Sequence, residues 1–197
     1  GMEIRRIAVI GAGLMGHSIA QEFACAGYEV CLTDVSEEAL EHALESMRRN
    51  LRTLSAAGRL DVGAVERIPA GIHMTTNVAD AVADADLVLE AIVEDLEVKR
   101  DLFSRLDELC CEDAILASNT SSFMPSSLAS ANSRPERVLV AHYFNPAHLV
   151  PLVELVPSPA TAPEVLTTLL ELYREMGKCP VVVRREALGF IANRMQV

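Results

Sequence analysis

Short apolar runs alternate with longer stretches of helical periodicity along most of the chain. Ile7-Ala8-Val9-Ile10, Val30-Cys31-Leu32-Thr33, Ala114-Ile115-Leu116-Ala117 and Val138-Leu139-Val140-Ala141 are too short for buried helices. They read as strands covered on both faces. The pattern predicts strands near 4–10, 29–33, 72–75, 86–90, 114–118, 137–142, 152–156 and 179–184. It predicts helices near 14–26, 36–57, 61–68, 77–83, 96–110 and 163–176. Local signals agree. Ser36 stands as N-cap before Glu37 and Glu38, and Gly177 follows the last of these helices as a C-cap glycine. Residues 132–136 form a polar loop, and the proline-rich stretch 157–163 is a stiff connector. Such alternation implies an α/β protein with a mostly parallel sheet and helices on both faces. From Leu188 a further apolar helical pattern begins. Residues 1–184 are therefore expected to form one domain, and 185–197 the start of a truncated helical second one.

The turn between the first strand and the first helix carries Gly11-Ala12-Gly13-Leu14-Met15-Gly16, and Asp34 closes the second strand. Strand, glycine turn, helix, strand and acid in this order form a dinucleotide-binding fingerprint, which makes the expected fold a Rossmann-type doubly wound sheet. Gly11 permits the tight turn. Gly13 has no side chain to block a pyrophosphate, and Gly16 lets the helix pack closely on the strand. The helix N-terminus, at Leu14 and Met15, offers free N–H groups and partial positive charge to phosphates. Asp34 can accept from ribose hydroxyls. Val35 and Ser36 supply no arginine for a 2′-phosphate, so NAD is favoured over NADP.

Composition narrows the field. The 197 residues suit one ordinary domain, and 50% are hydrophobic with only 4% aromatic and no Trp. That fits a core of Ala, Val and Leu. The net charge of −11 argues against a nucleic-acid partner. No run is long and apolar enough for a membrane span, so no membrane partner is expected. The N-terminus lacks a signal-peptide core, and Gly1 before Met2 reads as an appended residue. Five cysteines without a CxxC pair argue against a disulfide framework or a zinc site. Cys31 reads as a small core hydrophobe, and a cytoplasmic location is the simplest expectation. Arg48, Arg49, Arg52 and Arg59 form a local basic group, which taken alone reads as a solvated helix face.

Four polar features fall where α/β proteins bind ligands: Ser118-Asn119-Thr120-Ser121-Ser122, His142-Tyr143-Phe144-Asn145-Pro146, Glu154 and Asn193. His142 and Glu154 lie on successive strands. If those strands are neighbours the two side chains can meet, and a carboxylate beside an imidazole orients a general base. Taken singly, each also reads as a satisfied core histidine or an exposed acid on an edge strand.

From Ile7 to Gln196 the chain resembles the L-3-hydroxyacyl-CoA dehydrogenases. The matching segments are Gly11 to Gly16, Glu90-Ala91-Ile92-Val93-Glu94-Asp95-Leu96 with Lys99, Ser118 to Ser122, His142 to Pro146, Leu152-Val153-Glu154 and Gly189 to Arg194. The resemblance implies that His142 is the base and Glu154 its partner. It implies that Ser121 and Asn193 hold the substrate oxygen, and that Ala91, Glu94, Lys99, Ser121 and Asn145 line the nicotinamide end of NAD. It also implies a helical second domain that closes the cleft and makes the complete protein a homodimer. The implied reaction is reversible oxidation of a short-chain L-3-hydroxyacyl-CoA. Two departures stand out: Pro151 where the family commonly has lysine, and Leu188 where it has proline. The run from Pro151 to Val156 looks more like the lambda-crystallin or L-gulonate 3-dehydrogenase branch and the carnitine dehydrogenases. A non-thioester 3-hydroxy substrate therefore stays open, as does a non-catalytic NAD-binding module.

Overall fold

The computed structural model describes residues 2–184 and Phe190. Among the described residues eight strands make one sheet: β1 (Arg6–Ile10), β2 (Glu29–Thr33), β3 (His73–Thr75), β4 (Leu87–Glu90), β5 (Ile115–Ser118), β6 (Val138–Tyr143), β7 (Leu152–Pro157) and β8 (Cys179–Val182). Their spatial order is β3-β2-β1-β4-β5-β6-β7-β8. The direction of winding reverses between β1 and β4. Two adjacent strand ends therefore splay apart there, leaving a crevice for a ligand.

The helices are α1 (Leu14–Cys25), α2 (Glu37–Ala56), α3 (Ala64–Ala70), α4 (Val78–Val82), α5 (Leu96–Leu109), α6 (Pro125–Ala129) and α7 (Pro163–Glu175). Alternate residues of β1 feed opposite cores, as a period of two requires. Ile7 and Val9 join Phe23 of α1, Met47 of α2 and Leu169 of α7. Ala8 and Ile10 join Val82 of α4, Phe103 of α5 and Leu128 of α6. Ser36 caps α2 by accepting from the Ala39 N–H at 3.1 Å, and Gly177 takes φ +76 just past α7. Cys31 is half-buried against the second core.

Two features depart from the periodicity reading. Five-residue α6 is too short to show helical spacing; its signal is Pro125 in the first turn. β7 runs antiparallel to β6, with His142 opposite Glu154 and Tyr143 opposite Val153. The connection, residues 144–151, is too short for the crossover that a parallel neighbour needs. The polar loop before β6 is tied down by Asp107, which accepts from the Ser133 N–H at 2.8 Å, the Ser133 hydroxyl at 2.6 Å and the Arg137 guanidinium at 2.8 Å. Burial pushes this carboxyl up, but those donors outweigh it and hold it far below the usual range.

Candidate active site

The site grows from the glycine turn at the reversal point. Gly11 has φ +102, and a Cβ there would lie 2.4 Å from the Ala91 carbonyl oxygen. A Cβ on Gly16 would lie 1.7 Å from the Gly11 carbonyl oxygen. The third glycine thus makes room for the turn itself, a closer constraint than packing on the strand. A Cβ on Gly13 would meet nothing within 4 Å, so its face of the turn is open to a ligand. Asp34 accepts from the Ala12 N–H at 2.8 Å and from the Ser36 N–H at 3.1 Å. Two oxygens with four lone-pair sites leave it capacity for ribose hydroxyls. A cavity of 570 Å³ with walls from Ile10, Ile92, Val98 and Leu102 opens beside Asp34. Its apolar walls suit an adenine ring. Arg105 of α5 also lines it, a cation that reading residues 34–36 alone misses.

On the other side of the turn a cavity of 440 Å³ brings together Leu14, Met15, Ala91, Glu94, Lys99, Ser121, His142 and Asn145. Each was singled out from sequence. His142 Nδ1 lies 2.9 Å from Glu154 Oε2, with both residues buried. A carboxylate only accepts, so Nδ1 carries the proton and Nε2 is left as the basic nitrogen. The rings of Phe144 and Phe190 stand 4.6 and 5.6 Å from the imidazole, centre to centre.

Beneath this cavity runs a polar network that sequence reasoning found only in part. Lys99 is buried and pairs with Glu90 and, at 3.2 Å, with Glu94. Its ammonium is thus committed to carboxylates although it lines the cavity. Glu90 also accepts from the Ser118 hydroxyl at 2.5 Å, and Glu94 from the Thr120 hydroxyl and the Ser121 N–H. Burial pushes the Glu90 carboxyl up, against Lys99. Burial acts likewise on Glu94, but Thr120 and Lys99 prevail and lower it. Asn119 Oδ1 accepts from the Tyr143 N–H at 2.8 Å and ties the Ser118–Ser122 segment to β6. Glu90 and Ser118 gave no spacing signal, because they meet only through the parallel register of β4 and β5.

A further cavity, of 490 Å³, lies between α1, α2 and the β6–β7 connection. It shares Leu14 and Asn145 with the His142 cavity. His17, Arg49, Asn50 and His148 line it. Of the basic group, Arg48 pairs with Glu66 at 2.9 Å, while Arg49, Arg52 and Arg59 are all exposed, Arg49 at the rim of this cavity. Asn193, Leu188 and Ile191 lie outside the described residues. Among the described residues no His, Cys, Asp and Glu group could hold a metal, and no helix is long and apolar enough to cross a membrane.

A doubly wound sheet with this turn, this acid and a carboxylate-oriented histidine defines the dinucleotide-binding domain of an oxidoreductase. The chain belongs to the 3-hydroxyacyl-CoA dehydrogenase family: residues 6–187 match its NAD binding domain. It is 40% identical over 192 residues to 3-hydroxybutyryl-CoA dehydrogenase of Clostridioides difficile, covering 98% of this chain and 68% of that protein. It is 37% identical over 191 residues to the lambda-crystallin homolog of Homo sapiens, covering 96% of this chain and 60% of that one. The crystal structure of (S)-3-hydroxybutyryl-CoA dehydrogenase from Ralstonia eutropha superposes with a TM-score of 0.93 at 32% identity, over 98% of this chain and 68% of that one. The chain therefore spans about two thirds of the length of such relatives. NAD is the cofactor of the family's matched domain, and the open face at Gly13 and the cavity at Asp34 fit it.

Proposed function

We propose that the complete protein oxidises the 3-hydroxyl of a short-chain L-3-hydroxyacyl-CoA, with His142 as general base. The observation that carries this reading is the 2.9 Å contact of His142 Nδ1 with Glu154, at a cavity bordering the glycine turn. Gly11, Gly13, Leu14, Met15, Gly16 and Asp34 would hold the pyrophosphate and adenosine ribose. Ala91, Glu94, Ser121 and Asn145 would line the nicotinamide end. NAD, when bound, supplies the hydride acceptor.

The chain's own groups do the rest. His142 Nε2 takes the hydroxyl proton, and Glu154 stabilises the resulting imidazolium without moving far, since the strand register already fixes the pair. Ser121 holds the reacting oxygen, and the proposal gives Asn193 the same task. Phe144 and Phe190 keep bulk water from the base. Glu94, kept low by Thr120 and Lys99 against its partial burial, places a carboxylate beside the cavity, which favours a cationic nicotinamide over a neutral one.

A second reading has its own support. Pro151 and the run it opens match the non-thioester branch, and a lambda-crystallin homolog is among the relatives. The deciding experiment supplies the complete protein with NADH and compares acetoacetyl-CoA with non-thioester 3-keto acids. Higher kcat/KM on the thioester supports the first reading. Turnover confined to the acids replaces it with the second.

A further inference from the structure

Behind the site lies a buried cation, Lys178, that neither cofactor binding nor proton transfer uses. It follows Gly177, whose positive φ turns the chain back at the end of α7. Lys178 is only 9% exposed, a burial that a lysine tolerates when its charge is paired. Its ammonium has three N–H donors, and three acceptors among the described residues meet them. They are Glu22 of α1 at 2.6 Å, the Ala147 carbonyl at 2.6 Å and the Val150 carbonyl at 3.4 Å. The Tyr143 ring closes the base, its centre 5.9 Å from Nζ.

Both carbonyls belong to the β6–β7 connection, the segment that carries Asn145 into the His142 cavity. Within that segment the Pro146 carbonyl accepts from the Leu149 and Val150 N–H groups at 3.0 Å each. Those bonds close the turn on itself but do not fasten it to the domain. Lys178 supplies one fastening. The Ser18 hydroxyl, 3.2 Å from His148 Nδ1, supplies a second. Both lead to α1, where Ser18 and Glu22 stand one turn apart on the same face. The Cys179 N–H, beside Lys178, donates to the Pro151 carbonyl at 2.8 Å and fixes the far end of the connection. The N-terminus of α1 is the glycine turn. The connection and that turn are thereby mounted on one helix, which sets the span from Gly13 to Asn145.

We propose that Lys178, with Glu22 as its counter-ion, is a positioning residue that grips the β6–β7 connection and so sets Asn145 against the nicotinamide end of NAD. The inference rests on the dehydrogenase reading, which gives Asn145 that place. Lys178 lines neither the His142 cavity nor the Asp34 cavity, and it acts through the loop.

The test uses the complete protein and titrates NADH beside ADP-ribose, which carries the same adenosine, pyrophosphate and ribose but no nicotinamide. N145A should weaken NADH about tenfold, the size of one lost hydrogen-bonded contact, and ADP-ribose less than about twofold. K178M fills the space but donates nothing, and it should give the same pattern. K178M/N145A should bind NADH no more weakly than N145A alone, since two changes on one path do not add. K178R keeps charge and donors and should restore most of the loss. E22L/K178M leaves no lone carboxylate behind, so it serves if K178M fails to fold, with the same pattern expected. Equal weakening of NADH and ADP-ribose, additive losses in the double variant, or an arginine no better than methionine overturns the proposal. So does an N145A variant with unchanged NADH affinity. Failure of the dehydrogenase reading shows separately, as wild-type protein that binds NADH but reduces no 3-keto substrate.

Discussion

His142 and Glu154 face each other across the antiparallel seam of the sheet, directly paired in register and joined at 2.9 Å. Cross-strand pairing leaves the imidazole little freedom to turn, so part of its orientation comes from the backbone. Glu154→Gln should therefore keep the ring in place but lose the charge that stabilises its cation. The expected result is a kcat reduced roughly tenfold, less than loss of the histidine itself would give.

Asp34 serves the fold and the cofactor at once. Asp34→Ala should weaken NADH and narrow its advantage over NADPH, read by titrating each dinucleotide. It should also lower Tm, because the Ala12 and Ser36 N–H groups lose their acceptor. NADPH binding as tight as NADH in the wild type would contradict the assignment and point to Arg105, which lines the same cavity.

The Glu94 carboxylate beside the cavity has a thermodynamic signature. Glu94→Gln should lower affinity for NAD relative to NADH by about three- to tenfold, the size expected for one charge at short range in a partly solvated site. Dissociation constants for the two redox forms, measured on the same preparation, give the ratio. An unchanged ratio means the network only supports the Ser118–Ser122 segment.

Much of this was legible in the chain. Short runs of strand length, most of them apolar, located the eight strands among the described residues, and the glycine turn with Asp34 located the cofactor crevice. What stayed hidden depends on contacts between distant elements. His17, Asn50 and His148 come from α1, α2 and a loop, so no spacing links them. Glu90 reads as the last residue of an apolar run, and only burial beside Lys99 and Ser118 reveals its network. The antiparallel turn of β7 follows from loop length, which periodicity does not weigh.

Asp107 gives a stability prediction away from the site. Its carboxyl is held below its unfolded value, so its contribution is full above about pH 4 and is lost as pH falls further. Asp107→Asn leaves the buried Arg137 without its partner and should cost roughly 1–3 kcal/mol, or about 3–10 °C in Tm at neutral pH. The gap between variant and wild type should close as the pH is taken below about 4. Thermal melts across that range check it, and a gap that widens in acid would refute the role.

The central claim is that His142 moves the substrate proton while the glycine turn and Asp34 hold the cofactor independently. The most direct measurement compares wild type and His142→Gln in the complete protein, on acetoacetyl-CoA with NADH, alongside NADH affinity. The account predicts that kcat falls by about 10²–10⁴-fold, the usual worth of a general acid–base group, with the NADH dissociation constant essentially unchanged. Near wild-type turnover in the variant, or a loss explained wholly by weaker NADH binding, would contradict it.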